Sequence, residues 1–249
     1  MKQRIGWVLW VGILLFACTP NNVKSDTAIT KILETANVKG TFALMENSSA
    51  EFIISDLSMY KDSAFAPLNT FFTIPSLIAL DRGYISHNAN SWVSNDSISF
   101  YQGLIEKIGR TDLLKAMDSI HYGKGIVSND LHPFWNDQSI KITADEQLGL
   151  IKKLYFNELP FQKRSQDIYK TMILKEDNAS YKLSYIQGSE QGENPASWTL
   201  GYIVENKHPY FFVMHLSIPN TQTVNDKNAK SLSVLKSILA EQGFLKGVR

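Results

Sequence analysis

The first part of the chain carries one helical and two extended patterns of apolar residues. Between residues 27 and 37, Ile29, Leu33 and Ala36 recur at the spacing of an amphipathic helix. Two apolar, strand-forming runs follow, "GTFALMEN" and "EFIISDL", and the polar residues 47–49 separate them. Such runs joined by a short polar segment predict a β-hairpin.

Helical patterns dominate the middle of the chain. The segment 69–82 is an almost continuous apolar run that predicts a buried helix. Residues 101–120 predict two short helices broken near Gly109, and residues 143–157 predict a longer one. Thr143 and Glu146 stand at the spacing of a capping box, which marks where that helix begins.

The last third returns to β-rich runs, namely "YKLSYIQG", "SWTLGYIVEN" and "YFFVMHLSI", before a terminal helix at 229–242. Early strands, a block of helices, late strands and a final helix predict an α+β fold with helices flanking a sheet. We expect a mainly antiparallel sheet built from both ends of the chain and a helical lobe at about 85–180. Residues 27–249 are predicted to form this domain.

The N-terminal segment predicts export and anchoring. Lys2 and Arg4 precede an apolar stretch that is short for a membrane span and ends in Leu-Phe-Ala-Cys18. This pattern resembles a bacterial lipoprotein signal, so residues 1–17 are the predicted signal peptide and Cys18 the predicted lipidation site. The polar residues 18–26 are then a predicted tether. The alternative is an uncleaved anchor with an incidental cysteine.

Composition narrows the possible partners. Loss of Lys2 and Arg4 reduces the 25 basic residues to 23, against 24 acidic ones, so the mature net charge is about −1. This balance gives no reason to expect nucleic acid as a partner. The single cysteine excludes an intrachain disulfide. The expected location is the cell membrane or outer membrane, with the domain facing the periplasm or the exterior.

Several stretches, in a shared order, resemble the class D (oxacillinase-type) serine β-lactamases and the related penicillin-binding sensor domains. They are "VKGTFAL", "PLNTFFTIPSLIALDRG", "FYQGLIEKIGR", "HYGKGI", "FWNDQSIKITADEQLGLIKKLYFNELPFQKRSQDI" and "SWTLGYIVENKHPYFFVMHL". The resemblance covers residues from about 27 to about 245. It implies a β-lactamase/transpeptidase-like fold and a cleft beside the 69–82 helix.

The resemblance also implies four functional groups. In the family, a helix-opening serine attacks the lactam carbonyl, and a carbamylated lysine three residues later takes its proton. A Ser-x-Val serine relays protons to the leaving nitrogen, and a Lys-Thr-Gly strand binds the substrate carboxylate. Here Asn69 falls at the nucleophile and Phe72 at the lysine. An amide is not a usable nucleophile at neutral pH, and a phenyl ring cannot accept a proton.

The remaining motif positions are altered as well. Asp96 or its neighbour Ser97 falls at the second serine, after a segment that is shorter than in the family. Ile186-Gln187-Gly188 falls on Lys-Thr-Gly, so the glycine remains and the cation does not. An arginine that the family often has near its last helix falls at about Lys230, a displaced cation. No catalytic residue is therefore predicted.

Five residues are candidates for lining the former cleft: Thr70, Tyr122, Trp135, Gln187 and Lys230. Trp135 matches a tryptophan that sits against the modified lysine in class D enzymes. It either packs on Phe72 and closes the pocket or contacts a ligand there. Tyr122 is as readily a structural turn residue. No metal-ligand spacing or cofactor motif is present, so neither a metal nor a cofactor is predicted.

Three functions remain open. The first is a non-catalytic envelope lipoprotein that binds a peptidoglycan-type ligand or another envelope protein in the former cleft. The second is an active β-lactamase or transpeptidase-like acyltransferase with a displaced site that uses Asp96, Ser97 or Thr70. The third is a scaffold subunit of an envelope complex, with a filled cleft and an outer binding face.

Overall fold

The computed structural model of the protein describes residues 22–85, 97–125, 127, 131, 133–190, 196–219 and 223–249. The strands are β1 (Val23–Lys24), β2 (Lys39–Glu46), β3 (Phe52–Ile54), β4 (Ala64–Phe65), β5 (Lys124–Gly125), β6 (Ile140–Thr143), β7 (Leu174–Asp177), β8 (Lys182–Ser189), β9 (Ala196–Glu205) and β10 (His208–Ser217). The helices are α1 (Thr27–Thr35), α2 (Leu57–Lys61), a 3₁₀ helix (Leu68–Phe72), α3 (Thr73–Asp81), α4 (Ser97–Ile108), α5 (Arg110–Ile120), α6 (Ala144–Tyr155), α7 (Lys163–Ile173) and α8 (Val224–Glu241). Among the described residues, no helix has both the length and the apolar character needed to cross a bilayer.

The main sheet has seven strands in the order β1-β3-β2-β10-β9-β8-β7. Strand β10 pairs antiparallel with β2 over Ser217–Tyr210 and with β9 along its whole length. The two ends of the chain therefore share one sheet, which confirms the predicted α+β arrangement. A smaller sheet, in the order β4-β6-β5, lies outside it.

Each face of the main sheet supports its own hydrophobic core. On β10, Phe211 and Val213 join the core of the helical lobe, whereas Phe212 and Met214 join the core under α1 and α8. This alternation follows from the period-two geometry of a strand with both faces covered. The sequences of these strands are therefore continuous apolar runs, in which apolar and polar residues do not alternate.

Local signals explain where two of the helices begin or end. The Thr143 hydroxyl accepts from the backbone N–H of Glu146 at 3.1 Å, and the Glu146 carboxylate accepts from the Thr143 N–H at 2.8 Å. This capping box confirms the predicted start of α6. Gly109, with φ +80°, separates α4 from α5 as expected.

The folded part of the chain begins earlier than the expected boundary at residue 27. Val23 and Lys24 form β1, which pairs parallel with β3 at the sheet edge, and Lys24 forms an ion pair with Glu51 at 2.7 Å. Asp26 caps α1 by accepting from the N–H of Ala28. The assignment of residues 22–26 to the tether is therefore corrected. Cys18 and the predicted signal peptide lie outside the described residues.

Candidate functional site

The predicted nucleophile helix is present as the 3₁₀ helix followed by α3. Leu68, directly before Asn69, has φ +53°, a strained conformation for a residue with a side chain. Its backbone N–H donates to the carbonyl of Trp135 at 3.0 Å, which holds the turn in place. Asn69 is half-buried at the start of the helix, where the resemblance places the attacking serine.

Strand β8 lies directly against this helix start. A Cβ atom on Gly188 would lie 2.9 Å from the backbone nitrogens of both Asn69 and Thr70. That approach explains why the glycine of the third motif is present even though its lysine is not. Ile186 packs against the core of the helical lobe and brings no charge to this point.

Phe72 stands at the position where the resemblance places the lysine. Its ring stacks on Tyr101 with centroids 3.9 Å apart and planes at 11°, and it meets Trp135 edge-on at 5.4 Å. Phe72 is 5% exposed and Trp135 is fully buried. The two rings therefore pack together and close this part of the site.

Trp135 carries a buried hydrogen-bond donor, its indole Nε1, without a partner among the described residues. The resemblance places this tryptophan against a modified lysine, whereas its neighbour here is the ring of Phe72. The phenyl ring of Phe72 offers no acceptor for this N–H.

Comparisons with solved structures identify the architecture. A class D β-lactamase from Nostoc superimposes with a TM-score of 0.78 and 24% identity over 87% of this chain and 99% of that chain. A class D β-lactamase from Sebaldella termitidis gives 0.82 and 20% identity, over 90% and 98%. The fold is that of the class D β-lactamases.

Sequence relatives agree with the fold. Beta-lactamase OXA-48 of Klebsiella pneumoniae is 29% identical over 197 residues, which are 70% of this chain and 74% of that protein. Beta-lactamase OXA-20 of Pseudomonas aeruginosa is 25% identical over 231 residues, at 82% and 84% coverage. The regulatory protein BlaR1 of Bacillus licheniformis is 27% identical across 86% of this chain and 42% of that longer protein. No protein-family model matches the chain.

Hydroxyl groups near the class D nucleophile position are engaged in the core. The Ser76 hydroxyl donates to the carbonyl of Phe72 at 2.7 Å and lies 2.9 Å from the Tyr101 hydroxyl. Thr73 lies 2.9 Å from the Tyr169 hydroxyl. Burial raises the pKa of Tyr101 to about 12, although its bond to Ser76 opposes this shift, so the phenol stays protonated at neutral pH. These residues do not form a nucleophile–base pair.

Two of the expected cleft residues are core residues instead. Thr70 is fully buried, donates to the carbonyl of Pro67 and accepts from the Gln147 amide at 2.9 Å. Tyr122 is also buried, packs edge-on against Phe71 and has a pKa raised by that burial. Both side chains are buried, which corrects their placement as cleft residues.

The end of β8 is tied to α8 by polar side chains. The Gln187 amide donates to the Thr199 hydroxyl at 3.2 Å and to the carbonyl of Asn228 at 2.9 Å. The Ser189 hydroxyl donates to the Asn228 side chain at 2.7 Å. The Gln187 amide nitrogen therefore has one acceptor on β9 and one on α8.

The cation beside the strand ends is Lys227 rather than Lys230. Lys227 is fully buried and its Nζ donates to the carbonyl of Glu190 at 2.8 Å. Burial lowers the pKa of Lys227, while the nearby Glu190 carboxylate opposes that shift. Lys230 lines a groove between α1 and α8 together with Lys31 and Ser233. The expectation for Lys230 as a cleft residue is therefore corrected.

The structure describes only part of the segment that carries the second motif position. Asp96 lies outside the described residues, and Ser97 begins α4 with only its backbone described. Among the described residues, no group of three or more His, Cys, Asp or Glu side chains could hold a metal ion. The sequence pattern did not single out three residues that lie at this site: Ser76, Tyr101 and Lys227.

Proposed function

We propose that this chain is a non-catalytic envelope lipoprotein whose class D β-lactamase-like domain acts by binding. The expected ligand is a peptidoglycan-type molecule or another envelope protein. The observation that carries the proposal is the ring of Phe72, stacked on Tyr101 where the family has its base. Acyl transfer to a serine needs a nucleophile and a base within hydrogen-bond reach of each other.

Similarity to proteins with different named roles supports a binding function. The relatives include β-lactamases and also BlaR1, which is named as a regulatory protein and aligns with 86% of this chain. A domain of this fold is therefore compatible with a role other than turnover. The backbone approach of Gly188 to Asn69 and Thr70 keeps a shaped surface beside β8 without reactive side chains.

The closed ring pair also favours a second candidate, a scaffold subunit that binds through an outer face. Phe72 and Trp135 fill the deep part of the former cleft, so a ligand there would contact only its shallow rim. The third candidate, an active β-lactamase or transpeptidase-like acyltransferase with a displaced site, draws on the β-lactamase relatives.

Intact-protein mass spectrometry after incubation with a reactive penicillin separates turnover from binding. We expect no covalent adduct and no hydrolysis above the background rate, while a class D β-lactamase treated in parallel is acylated. A stoichiometric mass increase that maps to a peptide of this chain would establish a hidden nucleophile and end the non-catalytic proposal.

The anchor is tested separately. We propose that Cys18 carries the lipid and holds the domain at the cell membrane or outer membrane, facing the periplasm or exterior. Cys18→Ser should move the protein from the membrane fraction to the soluble fraction, and Ser25→Ala, in the same region, should not. Unchanged membrane association of the Cys18→Ser variant would contradict lipidation.

A further inference from the structure

The chain enters the folded domain at one particular end of the main sheet. The Asn22 carbonyl accepts from the backbone N–H of Phe52 at 2.7 Å, and Val23 lies beside Phe52 in β1. Phe52 directly follows the turn between β2 and β3, which the N–H of Glu46 closes by donating to the carbonyl of Glu51 at 2.9 Å. The first described residues therefore lie at the end of the sheet that carries this turn.

Two other segments lie at the same end. The turn between β9 and β10 is there because Tyr210 on β10 pairs with Glu46, the last residue of β2. The C-terminal segment lies against that turn, since the Asn206 side-chain amide donates to the carbonyl of Gly247. We call this surface the entry end, and it consists of residues 22–24, 47–51, 206–208 and 245–249.

The exposed side chains of the entry end include several cations and one apolar residue. Lys207 and Lys246 are exposed, and neither forms an ion pair with a residue that the structure describes. Arg249 is also exposed, and its guanidinium lies over the ring of Phe244 at 4.8 Å. Val248 is 74% exposed. Cations beside an exposed apolar side chain are suited to the interface of an anionic bilayer.

The nearby carboxylates already have partners within the protein. Glu51 forms an ion pair with Lys24 at 2.7 Å. Glu205 is buried and accepts from the backbone N–H of Leu245 at 2.6 Å. The Glu46 carboxylate accepts from the hydroxyls of the β2–β3 turn. The lysines of the entry end are therefore left to interact with groups outside the chain.

The proposed lipidation site is close to the entry end along the chain. Cys18 precedes Asn22 by four residues. A fully extended chain spans at most about 3.6 Å per residue, so the Cα atoms of the two residues lie no more than about 14 Å apart. The ten residues of β10 span about 30 Å, so the opposite end of the sheet lies farther from Cys18 than this link can reach.

We propose that the entry end rests on the surface of a phospholipid bilayer that contains anionic headgroups. Lys207, Lys246 and Arg249 then lie beside the headgroup phosphates, and Val248 lies at the interface. The proposal rests on the lipidation of Cys18 that belongs to the proposed function. Acyl chains and basic residues together hold a protein at a membrane more firmly than either alone.

Docking of the entry end fixes the direction in which the former cleft opens. Gly188 on β8 pairs with Trp198, which pairs with His215 near the far end of β10. The helix start at Asn69 lies against Gly188. The former cleft therefore lies at the end of the sheet opposite the bilayer, where it faces ligands in the aqueous compartment.

Fluorescence quenching by labelled lipid tests this orientation. Cys18 is the only cysteine, and lipidation uses its sulfur, so an introduced cysteine is the one free thiol of the mature protein. The lipid-modified full chain carries an NBD fluorophore at Ala50→Cys or at Lys207→Cys. Lys39→Cys is the matched control, because Lys39 is also exposed and pairs with Ser217 at the far end of β10.

Each labelled protein is reconstituted in vesicles of phosphatidylcholine and phosphatidylglycerol, and intact-protein mass spectrometry first verifies the acyl chains. Phosphatidylcholine with a nitroxide on its headgroup is then added as the quencher. We expect the emission from Ala50→Cys and from Lys207→Cys to be lost, and the emission from Lys39→Cys to remain.

Lysine substitutions test the contribution of the charges, with the fluorophore at Ala50→Cys. Lys207→Gln with Lys246→Gln should lower the ratio of docked to undocked protein by about fivefold per lysine in vesicles that contain phosphatidylglycerol. In vesicles of phosphatidylcholine alone, the same pair should have no effect. Lys39→Gln with Lys141→Gln, two exposed lysines away from the entry end, should leave the ratio unchanged in both.

Three results would overturn the proposal: no quenching at Ala50 and Lys207, equal quenching at Lys39, or a ratio that Lys207→Gln with Lys246→Gln does not change. Absence of acyl chains on the mature protein would end both this proposal and the proposed lipid anchor. Acylated protein with unquenched labels at the entry end would end this proposal alone. None of these outcomes bears on acylation by penicillin, so the non-catalytic proposal is tested separately.

Discussion

The ring of Phe72 lies flat against the ring of Tyr101, with centroids 3.9 Å apart and an angle of 11° between the planes. The Tyr101 hydroxyl is in turn within hydrogen-bond distance of Ser76, one turn after Phe72 on α3. Tyr101 on α4 therefore contacts the end of the 3₁₀ helix through its ring and α3 through its hydroxyl. Where the resemblance places the reactive lysine of class D enzymes, this chain has a packed aromatic contact.

This packing predicts that Phe72→Ala is strongly destabilising. Removal of a fully packed phenyl ring loses its transfer free energy and leaves a cavity between Tyr101 and Trp135. We expect the free energy of unfolding to fall by about 3–5 kcal/mol. Urea denaturation followed by tryptophan fluorescence measures this change.

Phe156→Ala is the matched control, because the same side chain is removed from a residue that is 39% exposed. We expect a loss of about 1 kcal/mol there, since less apolar surface leaves the core. Equal losses for the two variants would mean that the packing of Phe72 against Tyr101 and Trp135 does not stabilise the fold as described.

The close approach of β8 to the 3₁₀ helix predicts that Gly188→Ala is destabilising. The new Cβ would lie 2.9 Å from two backbone nitrogens, which cannot move as a flexible side chain would. We expect a loss of about 1–3 kcal/mol in the free energy of unfolding, measured by thermal and urea denaturation.

Gly149→Ala is the same type of substitution, and we expect it to raise the stability of the protein rather than lower it. Gly149 lies inside α6, and a Cβ added there would meet no atom of a neighbouring element within 4 Å, so alanine should stabilise the helix by about 0.5–1 kcal/mol. If Gly188→Ala were as well tolerated as Gly149→Ala, β8 and the helix start would not be in close contact.

The sequence predicts the main sheet, because apolar runs of strand-forming residues identify its strands. The loss of the catalytic pair, inferred from the alignment with the class D motifs, stays a prediction. The sequence does not predict the cation beside the strand ends, since that depends on where α8 begins. Thr223 caps α8 by accepting from the N–H of Asp226, which adds a turn before the predicted start. Lys227 and Ser231 then share the buried face at i and i+4, and Lys230 is turned away from it.

Two other features depend on tertiary contacts that a single sequence does not reveal. Val23 and Lys24 lie in a polar stretch that has no strand pattern of its own, and they become β1 only because β3 offers a free edge. Tyr101 lies on the predicted helix at 101–108, but its stacking on Phe72 requires the packing of α4 on α3. Periodicity identifies a buried face but not its partner.

The buried imidazole of His215 predicts a pH dependence of stability. Its folded pKa, about 3, lies below the ordinary value of 6.5, so the unfolded chain binds a proton more readily than the folded one. The stabilisation is therefore fully present above pH 6.5 and is lost as the pH falls toward 3, by at most about 1.4 kcal/mol per pH unit. Denaturation midpoints between pH 7 and pH 4 measure this slope.

His215→Phe should flatten that slope, because no imidazole remains to be protonated on unfolding. Burial also raises the pKa of Glu190, which lines a cavity together with His215, so the comparison is made against Glu190→Gln as well as the parent chain. His208→Gln, at the exposed end of β10, should retain the parent slope. An unchanged slope in His215→Phe would show that His215 is not the group responsible.

Asn69→Ser restores a hydroxyl at the class D nucleophile position, and we expect it to remain unreactive toward penicillins. The new hydroxyl would face a site in which Phe72 offers no proton acceptor and Tyr101 stays protonated, with its pKa raised by burial to about 12. Ile186 adds no charge to hold the substrate carboxylate. In a comparable serine hydrolase, loss of the nucleophile or of its base alone costs about a millionfold in kcat.

Intact-protein mass spectrometry of Asn69→Ser beside Asn69→Ala provides the measurement, and we expect no adduct on either. A penicillin adduct on Asn69→Ser alone would reveal a base that the closed ring pair does not exclude.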